Sequence, residues 1–227
     1  MKNIGLVVAT ETEFETIFKN KNTTFKTLET TPFIIKEVII NDKKIVAINC
    51  GIGEIYSAIA TQYLINKYNI NCILNYGVVG SLSDSINLNN VVFVDKIFDY
   101  QLDLSPIDNV PVGYHEELNS LYINISNNIF DDIKTKFKNI QSVTCASGNK
   151  FVSEVEEKDY LFNKFNCQIC EMESLGIALT AIKNNIPVIF IKGVSDTKTG
   201  GAKEYKNMVE QSATAAFNVL LSIIESI

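Results

Sequence analysis

Short, nearly continuous apolar runs alternate along this chain with stretches whose apolar residues recur every three or four positions. The runs at 4–9, 33–40, 45–49, 72–76, 91–97, 141–146, 168–170 and 188–194 are short and rich in Ile and Val, and they predict strands. Between them the spacing predicts helices over 12–19, 54–67, 116–138, 155–164, 174–183 and 204–226. In the last of these, Met208, Ala215, Val219 and Ile223 fall on one face, as in a helix laid on a sheet. Asn41-Asp42 is a two-residue turn signal that joins the second and third strands into a hairpin. Strands that alternate with helices imply an α/β fold in three layers, a mixed, largely parallel central sheet flanked by helices. No linker or repeat divides the chain, so one domain over residues 1–227 is expected. The longest irregular stretch, 99–115, carries Pro106, Pro111 and Gly113 and suits a lid or an interface segment.

Composition narrows the function. All 20 basic residues are Lys, against 26 acids and one His, for a net charge of −6. Without a basic cluster there is nothing to neutralise a phosphate backbone, which argues against nucleic acid, or to bind an anionic membrane surface. No apolar run approaches the roughly 18 residues of a membrane span, and the first apolar run is too short for a secretory signal, so a cytoplasmic protein is expected. The five cysteines, an odd number set mostly in apolar runs, read as reduced core thiols. The Cys167/Cys170 pair lies along a strand with no second ligand pair, so neither a metal nor another cofactor is expected.

In α/β sheets, ligands bind beyond the carboxyl ends of the strands. Acids end three of these strands: Glu13, Glu171 with Glu173, and Asp196. Small turns end two others, Gly51-Ile52-Gly53 and Gly77-Val78-Val79-Gly80. An acid at a helix start also complements the helix dipole, which is a sufficient reason for Glu13 or Glu173 taken singly. It does not explain three acids on one rim. The Gly51 turn lacks the third glycine and the downstream acid of a dinucleotide site, and no P-loop or GxSxG is present. His115 lies in the irregular stretch and reads as a surface or interface residue. Catalysis, if present, must run on carboxylates, which suits glycosidic cleavage: one acid protonates the leaving group and one carboxylate activates water.

The segments IGLVVATETEFE, CGIGEIYSAIAT, ILNYGVVGSL, ASGNKFV, EMESLGIAL and KGVSDTKTGG, in this order, resemble the purine nucleoside phosphorylase/uridine phosphorylase superfamily. Within it the chain is most similar to the 5′-methylthioadenosine/S-adenosylhomocysteine nucleosidases. The resemblance implies a nucleoside phosphorylase-like fold and a purine nucleoside as ligand. It implies Glu13 as the base that activates water and Asp196 as the acid that protonates purine N7, with Ser195 orienting Asp196. It implies that Glu173 binds the ribose hydroxyls, with Met172 against the sugar and Glu171 in support. Phe151 and Val152 would meet the base, and Ile52, Val79 and Gly80 would complete the wall.

The chain also departs from the family. Val78 stands where the nucleosidases carry a serine, and Lys192, expected at the substrate, stands where they carry Arg. The central loop keeps Asp103 but is otherwise different. Phosphorylases of the superfamily clamp phosphate with several Arg residues, and this chain has none, so hydrolysis is expected. Phosphorolysis, a futalosine-type substrate and a nucleoside-binding protein without turnover are the alternatives. The family's dimers imply a homodimer here.

Overall fold

A computed structural model describes residues 3–19, 23–40 and 42–227. The chain begins with β1 (Ile4–Val8), α1 (Glu11–Lys19), β2 (Thr24–Glu29), β3 (Ile34–Ile40), β4 (Lys43–Asn49) and α2 (Glu54–Tyr68). Next come β5 (Cys72–Ser81), β6 (Val91–Asp99), the short α3 (Ser105–Asp108), β7 (Ile123–Asn124), α4 (Asn128–Lys136) and β8 (Gln141–Ser147). The chain ends with α5 (Val155–Phe165), β9 (Ile169–Glu171), α6 (Ser174–Lys183), β10 (Val188–Asp196) and α7 (Gly201–Ser226). The predicted hairpin is present, β3 and β4 pairing up to Ile40 opposite Lys43. Of its turn, Asn41 lies outside the described residues, while Asp42 adopts a left-handed φ of 62°.

The sheet matches the expected layer only in part. It is mixed, as expected, but not largely parallel, and five strands close on themselves in the order β5-β10-β6-β8-β9 before returning to β5. From β5 the sheet continues outward through β1, β4, β3 and β2. Closure turns on the length of β5. One of its edges is paired with β10 along residues 73–80, and the other is divided between β1, at Cys72–Asn75, and β9, at Gly80 and Ser81. A strand has only two edges, so 76–79 on the divided edge has no strand partner, and the site opens there. The sequence expectation ended β5 at Tyr76 and took Gly77–Gly80 for a turn. The backbone stays extended through all four residues.

Three more expectations are corrected. Thr24–Glu29 forms the edge strand β2, although most of its side chains are exposed and give no apolar run. The single helix expected over 116–138 is broken into a 3-10 turn at Glu116–Leu118, the strand β7 and α4. Asn119 ends the turn in the left-handed region, and Asn127 starts α4 by accepting a hydrogen bond from Phe130 N. His115, expected at the surface or an interface, is largely buried in the chain: its Nε2 lies 3.2 Å from Asp99 Oδ2 and its side chain is 15% exposed.

Helices cover the sheet as their apolar faces require. Phe217, Leu220, Ile223 and Ile224 of α7 are buried in the main core. A second cluster, including Phe98, Leu161, Phe165 and Cys167, seats α5 beside β6 and β8, with Phe98 and Phe165 stacked at 4.2 Å. All five cysteines are buried free thiols.

Candidate active site

The carboxyl ends of β5, β9 and β10, together with α1 and the loop before α2, surround a cavity of about 430 Å³. Ten of the sequence-predicted residues line it: Glu13, Ile52, Val79, Gly80, Phe151, Glu171, Met172, Glu173, Ser195 and Asp196. Val152 is buried and faces an adjoining recess of about 30 Å³. Phe151 leans over the mouth, its ring 5.4 Å from that of Tyr205.

Glu13 belongs to a capping arrangement that its spacing from Thr10 explains. The Glu13 amide donates to Thr10 Oγ1 at 3.3 Å, and Glu13 Oε2 accepts from Thr10 N at 2.9 Å and Thr10 Oγ1 at 2.8 Å. Its other oxygen, Oε1, accepts from Val78 N at 2.8 Å, across the unpartnered edge of β5. The helix-start explanation accounts for Oε2, while Oε1 reaches across to β5. A Cβ on Gly77 would sit 2.8 Å from Glu13 Oε1, and one on Gly80 would sit 2.9 Å from Asp196 Oδ2. The two glycines in β5 are clearance for two carboxylates.

Glu171 and Glu173 flank the start of α6 and differ in their support. Glu171 Oε2 accepts from Ser174 N at 2.9 Å, Ser174 Oγ at 2.9 Å and Lys192 Nζ at 3.1 Å. Burial opposes its charge, but Lys192 and the hydroxyls of Ser147 and Ser174 outweigh burial and hold its pKa below the usual value. Glu173 has less: Oε1 accepts from Gly53 N at 2.8 Å. Burial first, and then the charge of Glu171, push its pKa up to about 8. The Gly51-Ile52-Gly53 turn therefore delivers an N–H to a carboxylate.

Lys192 is the predicted residue the structure puts elsewhere. It is fully buried behind Glu171 and does not line the cavity, so its expected contact with substrate is replaced by an ion pair. Asp103 also lies away from the cavity, exposed, where it accepts from Ser105 N at 3.0 Å.

Asp196 ends β10 and is buried. Lys158 Nζ donates to its Oδ2 at 2.7 Å, and Ser195 Oγ lies 3.2 Å from both its Oδ1 and the Val79 carbonyl. Burial raises the Asp196 pKa, against the pull of Lys158 and Ser195. Lys158 was missed in the sequence. The signal was there: with Leu161 and Phe165 it falls on the buried face of α5, a lysine at a position that the helical pattern reserves for apolar residues. Ala202, Tyr205 and Lys206, at the start of α7, and Cys170 also line the cavity without having been anticipated. No local motif marks them.

Carboxylates in different environments line one cavity, on a mixed sheet closed into a five-stranded ring, and this is the architecture of an α/β protein with an acid-lined site. The family model of the Phosphorylase superfamily matches residues 3–225, and the chain belongs to that family. It is 27% identical to the 5′-methylthioadenosine/S-adenosylhomocysteine nucleosidase of Staphylococcus aureus (strain JH9), over 99% of this chain and 100% of that protein. The fold is shared with the Helicobacter pylori 5′-methylthioadenosine/S-adenosylhomocysteine nucleosidase, at a TM-score of 0.90 and 23% identity, covering 100% of this chain and 99% of that one. It is shared equally with the futalosine hydrolase of Helicobacter pylori strain 26695, at a TM-score of 0.90 and 22% identity, covering 100% and 98%.

Proposed function

We propose that the protein is a purine nucleoside N-ribosyl hydrolase that cleaves 5′-methylthioadenosine/S-adenosylhomocysteine-like nucleosides and releases adenine. The observation that carries this reading is the placing of Glu13, Glu173 and Asp196 around one cavity in three distinct environments. The full-length likeness to the Staphylococcus aureus nucleosidase supports the choice of substrate.

Each carboxylate has a task that its surroundings suit. Glu13, held by neutral donors, takes a proton from water as the water oxygen bonds to C1′. The C1′–N9 electron pair moves onto the purine, and N7 takes a proton from Asp196. Glu173 accepts hydrogen bonds from the ribose hydroxyls and fixes the ring, while Met172 packs against the sugar. Ser195 orients Asp196, and Glu171, held by Lys192, orients the start of α6 beneath Glu173. Phe151 meets the base over Val152, and Ile52, Val79 and Gly80 form the walls.

Water is the nucleophile in this reading. The chain has no Arg to grip a phosphate, and the buried ammonium of Lys192 is committed to Glu171. Incubation with 5′-methylthioadenosine should release adenine at the same rate with and without phosphate. A strict phosphate requirement would reverse the assignment. A panel of nucleosides differing at the 5′ position, futalosine included, fixes the substituent.

The protein also self-associates as a homodimer in this reading. Ile55, Tyr56 and Ile59 on α2 are 71%, 59% and 53% exposed and form, with Ile52, an apolar patch at the cavity's rim. Sedimentation of Ile55→Glu as a monomer, against a wild-type dimer, is the expected result. Among the described residues no helix is long and apolar enough to cross a membrane.

A further inference from the structure

Lys158 is among the largest fully buried side chains of the protein, and it points at the one acid that must give up a proton. It sits on α5, with Leu161 and Phe165 on the same buried face, and donates to Asp196 Oδ2 at 2.7 Å and to the Thr197 carbonyl at 2.8 Å. Burying an ammonium costs several kcal/mol before its partner repays any of it, and an apolar pair of similar size would serve packing as well. An ion-paired aspartate has a further peculiarity in this position. Its proton resides on the partner, yet the proposed reaction needs that proton at the aspartate.

We propose that Lys158 and Asp196 form one proton-donating unit, in which Lys158 supplies the proton that Asp196 passes to purine N7. The inference rests on the hydrolase reading above. As the C1′–N9 bond breaks and its electron pair moves onto the purine, the N7–H bond forms at the expense of a Nζ–H bond of Lys158, by way of the Asp196 carboxylate. Lys158 is left as a neutral amine and Asp196 as a carboxylate. Glu13 meanwhile gains the proton lost by the attacking water, so the site as a whole keeps its charge. When the products leave, Glu13 gives its proton to solvent and Lys158 takes one from solvent, which restores the starting site.

The surroundings favour such a unit. Gly80 leaves no side chain between β5 and the Asp196 carboxylate. The titratable groups around the pair are Cys170 on β9 and Glu204 and Tyr205 on α7, and Glu204 is engaged with Thr197 N at 2.6 Å. Thr197, tied to both Lys158 and Glu204, fixes the loop beside the pair. Lys158 acts through Asp196 and is therefore a positioning and proton-supplying residue.

The test compares two leaving groups in Lys158→Gln and Lys158→Arg. Gln can still donate a hydrogen bond, and Arg keeps the charge, but neither releases a proton readily. With 5′-methylthioadenosine, kcat should fall by roughly 100-fold or more in both variants while KM stays within about 3-fold, the scale of a lost general acid. A p-nitrophenyl riboside, whose nitrophenolate departs without protonation, should be cleaved at close to the wild-type rate by the same preparations. Full kcat in the Arg variant would overturn the proposal by showing that charge alone suffices. Parallel loss on both substrates in a variant that melts cooperatively would overturn it by showing a structural role. If one variant fails to fold, the other decides. A wild-type protein that releases no adenine would instead bring down the hydrolase reading, and this inference with it.

Discussion

The ammonium of Lys192 lies 3.1 Å from Glu171 Oε2, with both side chains buried. The pair holds the carboxylate that accepts from Ser174 N and Glu173 N, so it fixes the backbone that carries Glu173 into the cavity.

Breaking this pair from one side leaves a buried charge without compensation. Lys192→Met is expected to cost about 3–5 kcal/mol of stability. Adding Glu171→Gln should recover much of it, because the remaining amide is neutral. Denaturant melts of the two single variants and the double variant check this, and additive losses would contradict it.

Gly77→Ala separates catalysis from folding. The added Cβ would lie 2.8 Å from Glu13 Oε1, so the carboxylate must move off the Val78 N–H. The expected result is a loss in kcat of roughly 10- to 100-fold, as displaced catalytic groups give. The far-UV spectrum should be unchanged and the Tm should move by only a few degrees. A variant with full activity would show that the close fit is dispensable.

Glu13→Gln removes the proposed base while keeping its shape. One amide nitrogen must then face a donor, either Val78 N or Thr10 N, so a modest loss of stability of about 1 kcal/mol is expected. Hydrolysis should drop by about 100-fold or more, with nucleoside binding retained in calorimetry. Unchanged turnover would remove Glu13 from the mechanism.

Glu173 makes both stability and binding depend on pH. Its folded-state pKa of about 8 lies above its ordinary value of 4.5, so folding favours the protonated acid. That contribution is complete below about 4.5 and is lost as the pH rises through about 8. Gln does not titrate, so Glu173→Gln should gain on the wild type between pH 6 and 9 by on the order of 1–2 kcal/mol, or roughly 3–6 °C in Tm. Substrate hydroxyls need an acceptor, so the wild-type KM should fall as the pH rises through this range and the Gln variant's should not. Equal melting curves at pH 9 would place the carboxylate's titration elsewhere.

The sequence by itself determined the α/β class, most strands and helices, and the acids at the strand ends. Periodicity and β-branched runs report which face of a local segment is buried, and that information is contained in the segment. Glu13, Glu173 and Asp196 were legible because each follows a strand and belongs to a motif of recognisable order. Tertiary structure alone decided the rest. Whether Gly77–Gly80 turns or continues β5 depends on β10 and β9 pairing with it, and those strands lie about 90 residues or more away in sequence. Lys192 and Lys158 look alike on paper, as lysines near apolar residues. Only the folded chain shows that each is buried against a different acid, Glu171 and Asp196, because the cost of burying an ammonium is settled by a partner that no local pattern names.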